Sequence, residues 1–274
     1  MDFSFRLSNG QTLRGRIISP GENLKAGVVL IHGLGEHIGR YEELVKRLSA
    51  EGIAFIGVDL PGHGKSDGKR GCIRDYKLMH EMTDTLTREF RKTFPGKKIF
   101  LYGHSLGGGI ALEYLTSCNY HLDGAIITSP WLKLSFEPAR SKVLLASLMK
   151  NILPSLVQPS GLVVEHISHD GAVVEKYKND PLVHDKISVS LFHCAVKGGE
   201  SALLNSSSVK IPVFIMHGSD DQITSPRGSR EFASKCAGAE LRIWEGGYHE
   251  LHNETFRDEV YASIIDWINR QLKN

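Results

Sequence analysis

The sequence contains no CxxC pair, no evenly spaced cysteines and no apolar run long enough to cross a membrane. Its four cysteines are scattered along the chain, at Cys72, Cys118, Cys194 and Cys236. That spacing indicates neither a disulfide framework nor a zinc knuckle, and it predicts reduced thiols. No run approaches the roughly 18 apolar residues of a spanning helix, and the N-terminus lacks the basic and apolar regions of a signal peptide. We therefore expect a cytoplasmic protein.

An excess of charge of either sign is also missing. The 33 basic and 31 acidic residues leave a net charge of +2. The overall charge therefore does not indicate nucleic acid as a partner. Hydrophobic residues make up 41% of the chain and charged residues 23%, which are ordinary values for a globular protein and exclude a disordered or fibrous chain. Composition therefore predicts a globular fold but points to no activity.

Five apolar runs predict the strands of a buried parallel sheet. They are AGVVLI at 26–31, IAFIGV at 53–58, KIFLY at 98–102, GAIIT at 124–128 and VFIM at 213–216. Runs that are apolar at every position are typical of strands covered by helices on both faces. The N-terminal segment instead alternates Phe3, Phe5 and Leu7 before a turn at Asn9 and Gly10, which predicts an antiparallel hairpin.

Helical patterns lie between these runs. They occur at 40–51, at 74–93, after Gly107, at 226–237 and at 256–272. Strand and helix therefore alternate along most of the chain. This alternation predicts an α/β fold with a mostly parallel central sheet, helices on both faces and right-handed crossovers.

The alternation stops between residues 133 and 208, where no buried strand run appears until VFIM restores the pattern. This gap predicts a mainly helical insertion, a cap or lid, between sheet-domain segments at 1–132 and 209–274. A helical wheel over 141–153 places apolar side chains on one half: Leu144, Leu145, Leu148, Met149, Ile152 and Leu153. Two interpretations fit this face, a helix packed on the core and a lid over an apolar pocket. On the second, we expect substrate contacts from Leu145, Leu148, Met149 and Ile152.

The segment KKIFLYGHSLGGG at 97–109 carries the strongest chemical signal. It contains Gly103, Ser105 and Gly107 in a GxSxG pattern between a predicted strand and a predicted helix. Glycines on both sides permit the sharp strand-to-helix turn that exposes a serine hydroxyl. We interpret Ser105 as a nucleophile, and the alternative is a serine that only completes a turn.

A serine nucleophile needs a general base and an acid that orients the base. In α/β-hydrolase folds the three residues follow the chain order serine, acid, histidine. Asp220 and Asp221 follow the VFIM run, and His249 and His252 follow the LRIW run at 241–244. Both pairs come just past a strand end, where an open α/β sheet places its ligand site. The residues alone leave Asp220 and Asp221 open, whereas closeness to the strand end favours His249.

An acyl-transfer site also needs backbone N–H donors for the oxyanion. One comes from the residue after the nucleophile, here Leu106, and the other from an early loop. The segment HGLGEH at 32–37 directly follows the first buried run. We therefore expect the Leu34 N–H to be the second donor, and the alternative is a tight turn without a catalytic role.

Several segments together resemble the monoacylglycerol lipase and lysophospholipase branch of the α/β-hydrolases. They are HGLGEHIGRY at 32–41, DLPGHGKSDGKRG at 59–71, GHSLGGGIAL at 103–112, HGSDDQIT at 217–224 and GGYHELHNE at 246–254. The resemblance implies Asp221 as the acid, His249 as the base and a cap after the sixth core strand. It also implies that the enzyme uses no metal ion and no organic cofactor. The implied activity is a serine ester hydrolase that cleaves monoacylglycerols or similar small lipid esters through an acyl-enzyme.

Other enzymes of the same fold stay open at this point: a lysophospholipase, a general carboxylesterase or a peptidase. An aminopeptidase would need acidic residues clustered in the cap, and Glu165, Asp170 and Glu175 do not visibly form such a cluster. A non-catalytic ligand-binding protein is a different class. The presence of all three triad candidates argues against it.

The sequence also indicates which partners to expect. The HISHD segment at 166–170 lacks the HExxH spacing of a zinc site, and we interpret it as loop histidines. We expect a small lipid-ester substrate, transient contact with membranes or micelles through the cap, and no nucleic-acid partner. The pattern predicts no particular oligomeric state.

Overall fold

An eight-stranded sheet forms the centre of the protein. A computed structural model of the chain describes residues 1–136, 148–149 and 152–273. The strands are β1 (Asp2–Arg6), β2 (Thr12–Ile18), β3 (Ala26–Ile31), β4 (Ile53–Val58), β5 (Lys98–His104), β6 (Gly124–Thr128), β7 (Val157–Pro159), β8 (Lys186–Ser188), β9 (Val213–Gly218) and β10 (Ala239–Trp244). The large sheet has the order β1-β2-β4-β3-β5-β6-β9-β10, and β7 and β8 form a separate pair.

Each of the five predicted apolar runs is a strand of the parallel part of this sheet. Strands β4, β3, β5, β6, β9 and β10 pair in parallel with their neighbours. Every residue of β3, β4, β6 and β9 is buried, because helices cover both faces. The predicted hairpin is confirmed as well, since β1 and β2 are antiparallel and β2 joins the sheet antiparallel to β4.

Helices form a layer on each face of the sheet. The helices of the described residues are α1 (Glu42–Ala50), α2 (Lys77–Thr93), α3 (Leu106–Ser117), α4 (Gly171–Asn179), α5 (Val189–Leu204), α6 (Pro226–Lys235) and α7 (Arg257–Lys273), and all but α4 belong to these layers. Side chains of α1 and α7 pack with Val28 and Leu30 of β3, whereas those of α2, α3, α5 and α6 pack with Val29 and Ile31 on the opposite face. The predicted α/β-hydrolase fold is therefore confirmed. No helix among the described residues is both long and apolar enough to cross a bilayer.

The interval 133–208, which the sequence predicts to be a mainly helical insertion, has two features that the sequence did not indicate. It contains the antiparallel pair β7 and β8, each of three residues. Strands of this length are too short to show an alternation of apolar and polar residues in the sequence. It also contains α5, whose Leu191, Ala195 and Ala202 are buried in the same apolar cluster as α3. By its packing α5 thus belongs to a helical layer of the sheet domain. The division at 1–132, 133–208 and 209–274 stays a prediction.

Candidate active site

Ser105 lies in the turn between β5 and α3. Its backbone has φ of 54° and ψ of −118°, a strained conformation for a residue other than glycine and one typical of functional sites. A Cβ on Gly103 would lie 2.6 Å from the carbonyl oxygen of Gly107, and a Cβ on Gly107 would overlap the carbonyl oxygen of Ile31. Only glycine fits at both positions, so the GxSxG pattern is what allows this turn to pack against β3.

Three side chains meet where β5, β9 and β10 end. His249 Nε2 lies 2.8 Å from Ser105 Oγ, and His249 Nδ1 lies 2.7 Å from Asp221 Oδ2. All three residues are buried, with at most 7% of their surface exposed. Because an ionised carboxylate only accepts hydrogen bonds, the proton of the neutral imidazole is on Nδ1 and Nε2 accepts from the Ser105 hydroxyl. The arrangement has the geometry of a nucleophile, a base and an orienting acid.

Asp221 and His249 favour each other's charged forms. Burial alone would raise the pKa of Asp221, but the adjacent His249 and hydrogen bonds from His217 and His249 hold it well below its usual range. Burial alone would lower the pKa of His249, but the charge and hydrogen bond of Asp221 outweigh this and raise it above the ordinary 6.5. An ionised acid that stabilises the protonated imidazole helps a base that must take a proton from serine.

Asp220 and His252 lie outside this arrangement. Asp220 is exposed and accepts a hydrogen bond from Ser219 Oγ at 2.7 Å. His252 is buried with its ring stacked on Tyr41, the centroids being 4.7 Å apart. Neither of its ring nitrogens has a hydrogen-bond partner in the described part of the chain, and burial lowers its pKa to about 4. His252 therefore packs as a neutral ring, while His249 contacts the serine.

The loop at 32–37 approaches Ser105 through Gly33 and Leu34. Both residues line the cavity that contains Ser105, and a Cβ built on Gly33 would lie 3.2 Å from the Cβ of Ser105. The Gly33 N–H donates to Glu36 Oε1 at 2.6 Å, which fixes the backbone beside Leu34. Leu106 is the first residue of α3, so its N–H has no acceptor within the helix. The structure thus places Leu34 in the cavity wall beside Ser105 and Leu106 next to the serine in the chain, and the oxyanion role of their N–H groups stays a prediction.

A buried ion-pair network, which the sequence analysis missed, joins this loop to the loop of His249. Arg40 Nη1 lies 2.9 Å from Glu36 Oε2, and the guanidinium donates two hydrogen bonds to Glu250, of 2.6 and 2.7 Å. The same guanidinium lies 4.6 Å from the centroid of the Tyr177 ring in α4. Burial would raise the pKa of Glu250, but Arg40 lowers it to about 2. The only sequence signal for the network is the presence of charged residues within two otherwise recognisable motifs.

A cavity of about 820 Å³ opens onto Ser105 and His249. Apolar side chains from the interval 131–192 supply much of its wall, among them Trp131, Met149, Leu156, Val163, Val189 and Phe192. The wall therefore presents hydrocarbon next to the candidate nucleophile. Met149, which the sequence predicts as a substrate contact, is one of the lining residues.

Leu148 and Ile152 are also predicted to contact substrate, and that contact stays a prediction. Neither residue lines the cavity, and they expose 60% and 70% of their surface. A helical wheel identifies the apolar half of a helix but not which of its side chains face the cavity. Neighbouring residues such as Leu148 and Met149 point about 100° apart. Leu145, the fourth residue of that prediction, lies outside the described residues.

The histidines of the HISHD segment make packing and hydrogen-bond contacts. The rings of His166 and His169 have centroids 6.4 and 3.7 Å from that of Tyr248, and His169 Nδ1 lies 2.9 Å from Glu254 Oε1. Across residues 1–136, 148–149 and 152–273, no group of three or more His, Cys, Asp or Glu side chains is placed to hold a metal ion.

The sheet topology and the side chains at its edge define an α/β-hydrolase. A family model described as serine aminopeptidase, S33, matches residues 22–256. The chain belongs to this family.

Relatives of the chain include proteins named as lipases. It is 34% identical to an uncharacterized abhydrolase domain-containing protein of Dictyostelium discoideum, over 97% of this chain but only 29% of that protein. It is also 34% identical to the monoglyceride lipase homolog of Monkeypox virus, over 91% of each. The crystal structure of Paleococcus ferrophilus monoacylglycerol lipase is similar with a TM-score of 0.87 and 32% identity, over 94% of this chain and 99% of that chain. The protein is therefore a serine ester hydrolase.

Proposed function

We propose that this enzyme hydrolyses monoacylglycerols or similar small lipid esters through an acyl-enzyme. The observation that carries the proposal is the largely apolar cavity of about 820 Å³ that opens onto Ser105. A wall that includes Trp131, Met149 and Phe192 suits an alkyl chain, since each buried methylene is worth about 0.8 kcal/mol. The relatives named monoglyceride lipase homolog and monoacylglycerol lipase support the same class of substrate.

In the proposed reaction, Ser105 Oγ attacks the ester carbonyl carbon while His249 takes the hydroxyl proton. The N–H groups of Leu34 and Leu106 stabilise the oxyanion that forms. His249 then returns the proton to the leaving alcohol, and the acyl group stays on Ser105. A water molecule activated by the same imidazole releases the fatty acid, while Asp221 maintains the orientation and tautomer of His249.

The charges around the cavity favour an ester over a peptide with a free amino terminus. An aminopeptidase needs a carboxylate to bind the substrate ammonium group. Glu36 and Glu250 line the cavity, but both are paired with Arg40 at 2.9 and 2.6 Å. Glu165 and Asp170 of the cap form ion pairs of their own, at 2.7 and 2.8 Å. These pairings support an uncharged head group such as glycerol.

Rates on a panel of substrates test this proposal. We expect kcat/KM to be higher for a long-chain monoacylglycerol than for a lysophospholipid of the same chain length or an aminoacyl p-nitroanilide, and p-nitrophenyl acetate to be hydrolysed as well. Preference for the p-nitroanilide would identify a peptidase, and preference for the lysophospholipid would identify a lysophospholipase. If a fluorophosphonate did not label Ser105, the protein would instead be a non-catalytic binding protein.

Substitution of Met149 tests the acyl-chain contact. Met149→Asp should lower kcat/KM for a monomeric long-chain monoacylglycerol by about tenfold or more, because a carboxylate beside the alkyl chain must be desolvated. The rate on p-nitrophenyl acetate should change by less than about twofold, since that ester does not reach the wall. Leu148→Asp is the matched control, because its side chain is 60% exposed, and it should leave both rates unchanged. Equal losses of rate on the two esters, together with a lowered melting temperature, would contradict the proposal that Met149 contacts the acyl chain.

Exposed apolar side chains near the cavity support contact with a membrane or micelle surface. Leu148, Ile152 and Leu153 expose 60%, 70% and 49% of their surface, and Phe136 exposes 55%. Apolar side chains grouped in this way are typical of an interaction surface. We propose that the enzyme is cytoplasmic and binds lipid surfaces transiently. Leu148→Asp should therefore reduce co-sedimentation with phosphatidylcholine vesicles, while the rate on a monomeric substrate stays unchanged.

Activity should fall as the pH is lowered through the pKa of His249. Only the neutral imidazole can take the serine proton, and Asp221 raises its pKa above 6.5. The acid limb of kcat/KM should therefore have its midpoint above 6.5, with activity present at higher pH and lost below the midpoint. A pH profile with a p-nitrophenyl ester measures this, and added EDTA should not change it. A midpoint well below that of free imidazole would contradict the assignment of His249 as base.

A further inference from the structure

A second imidazole contacts the carboxylate of Asp221. His217 is in β9 and is fully buried. Its Nε2 lies 3.1 Å from Asp221 Oδ2 and 3.0 Å from the carbonyl oxygen of Thr224. Its Nδ1 lies 2.7 Å from Ser229 Oγ in α6. No step of the proposed reaction uses this ring.

The contacts of His217 determine which nitrogen carries the proton. The carbonyl oxygen of Thr224 and the ionised Asp221 only accept hydrogen bonds, so the hydrogen must be on Nε2. The Ser229 hydroxyl can then donate to Nδ1. Both ring nitrogens then have hydrogen-bond partners, and His217 is a fixed N–H donor aimed at the acid.

The oxygen that receives this donor is the one that faces His249. Asp221 Oδ1 accepts from the backbone N–H groups of Ile223 and Thr224 at 2.8 and 3.0 Å. Oδ2 lies 2.7 Å from His249 Nδ1, and it also has the Thr224 hydroxyl at 3.0 Å and His217 Nε2 at 3.1 Å. The loop that follows β9 therefore holds one oxygen through its backbone, while side chains hold the catalytic oxygen.

We propose that His217 is a positioning residue that orients the Asp221 carboxylate toward His249. The inference rests on the proposed function, because His217 acts only through Asp221 and touches neither Ser105 nor the cavity. Without its N–H, the carboxylate is freer to turn about the Cβ–Cγ bond and lose the 2.7 Å contact with His249 Nδ1. Acylation then slows although the substrate still binds.

Three variants separate this role from a structural one. His217→Leu removes the donor and keeps apolar bulk, His217→Gln restores an N–H donor, and Ser229→Ala leaves the Nε2 contact in place as the matched control. The measurement is the pre-steady-state burst with a p-nitrophenyl ester, whose amplitude counts functional sites and whose rate constant reports acylation at each site.

In His217→Leu we expect the acylation rate constant per site to fall by about tenfold, the order of effect of one lost hydrogen bond to a charged group. KM corrected for this step should stay within about twofold, His217→Gln should recover most of the rate, and Ser229→Ala should stay within about threefold. A lower burst amplitude or melting temperature with an unchanged rate constant per site, in both His217 variants, would make the residue merely structural and overturn the proposal.

A double-variant cycle distinguishes failure of this inference from failure of the proposed function. If His217 acts through Asp221, adding His217→Leu to Asp221→Asn should cost less than about twofold in acylation. A fully additive loss would overturn the role of His217 and leave the triad intact. A wild-type enzyme that a fluorophosphonate leaves unlabelled at Ser105, or an Asp221→Asn variant that acylates at the wild-type rate, would reject the triad itself.

Discussion

Ser105→Ala should lower kcat by about 10⁶-fold, the loss expected when a serine nucleophile is removed. The alanine cannot form the acyl-enzyme, so hydrolysis would have to proceed by direct attack of water. A residual acceleration of about 10³-fold over the uncatalysed reaction should persist, because the oxyanion donors and the cavity remain. Steady-state hydrolysis of a monoacylglycerol measures the loss, and intact-protein mass after fluorophosphonate treatment should show no adduct.

The variant must keep its fold and its binding for this loss to have meaning. Among the described residues, Ser105 Oγ makes one hydrogen bond, that of 2.8 Å to His249 Nε2, so its removal should change the melting temperature little. Binding of an unhydrolysed monoacylglycerol should be retained. Turnover at the wild-type rate in Ser105→Ala would reject the nucleophile.

Asp221→Asn should have the second largest effect, a loss of about 10⁴-fold in kcat. The carboxylate accepts the Nδ1 hydrogen of His249, whereas an amide in its place can donate to Nδ1. The imidazole would then carry its hydrogen on Nε2 and could no longer accept the proton of Ser105. Pre-steady-state kinetics should place the loss in acylation, with little change in substrate binding.

Asp220→Asn is the matched control for this substitution. It makes the same chemical change one residue away, at an exposed side chain that hydrogen-bonds Ser219 instead of His249. Its kcat should stay within about twofold of the wild-type value, since surface changes away from the site have small effects. Equal losses in the two variants would contradict the choice of Asp221.

The sheet, Ser105 and His249 could be predicted because local patterns determine them, whereas only the resemblance separated Asp221 from its neighbour. Strands β3, β4 and β6 are buried along their whole length, so their sequences are apolar at every position. Ser105 and His249 are 144 residues apart in the sequence, yet each follows a recognisable strand. A parallel sheet brings such strand ends to one edge, and the contact follows from the topology.

The remaining features depend on contacts that no local pattern records. Arg40 and Glu250 are 210 residues apart, and nothing near either one names its partner. In the sequence His217 is one more residue of a buried strand, and only the structure shows its contact with Asp221. Met149 and Leu148 are equally apolar in a helical wheel, and only the docking of the cap decides which of them faces the cavity.

Arg40 makes the two loops and the cap thermodynamically linked. One guanidinium contacts Glu36 beside the oxyanion loop, Glu250 beside the base and the ring of Tyr177 in α4. Coupling between sites that share a partner is reciprocal. We therefore expect a ligand that holds α4 against the cavity to order the two catalytic loops as well, and an acyl group on Ser105 that orders those loops to hold α4. Occupancy of the pocket should therefore be visible in the cap, as slower hydrogen exchange in the backbone of α4.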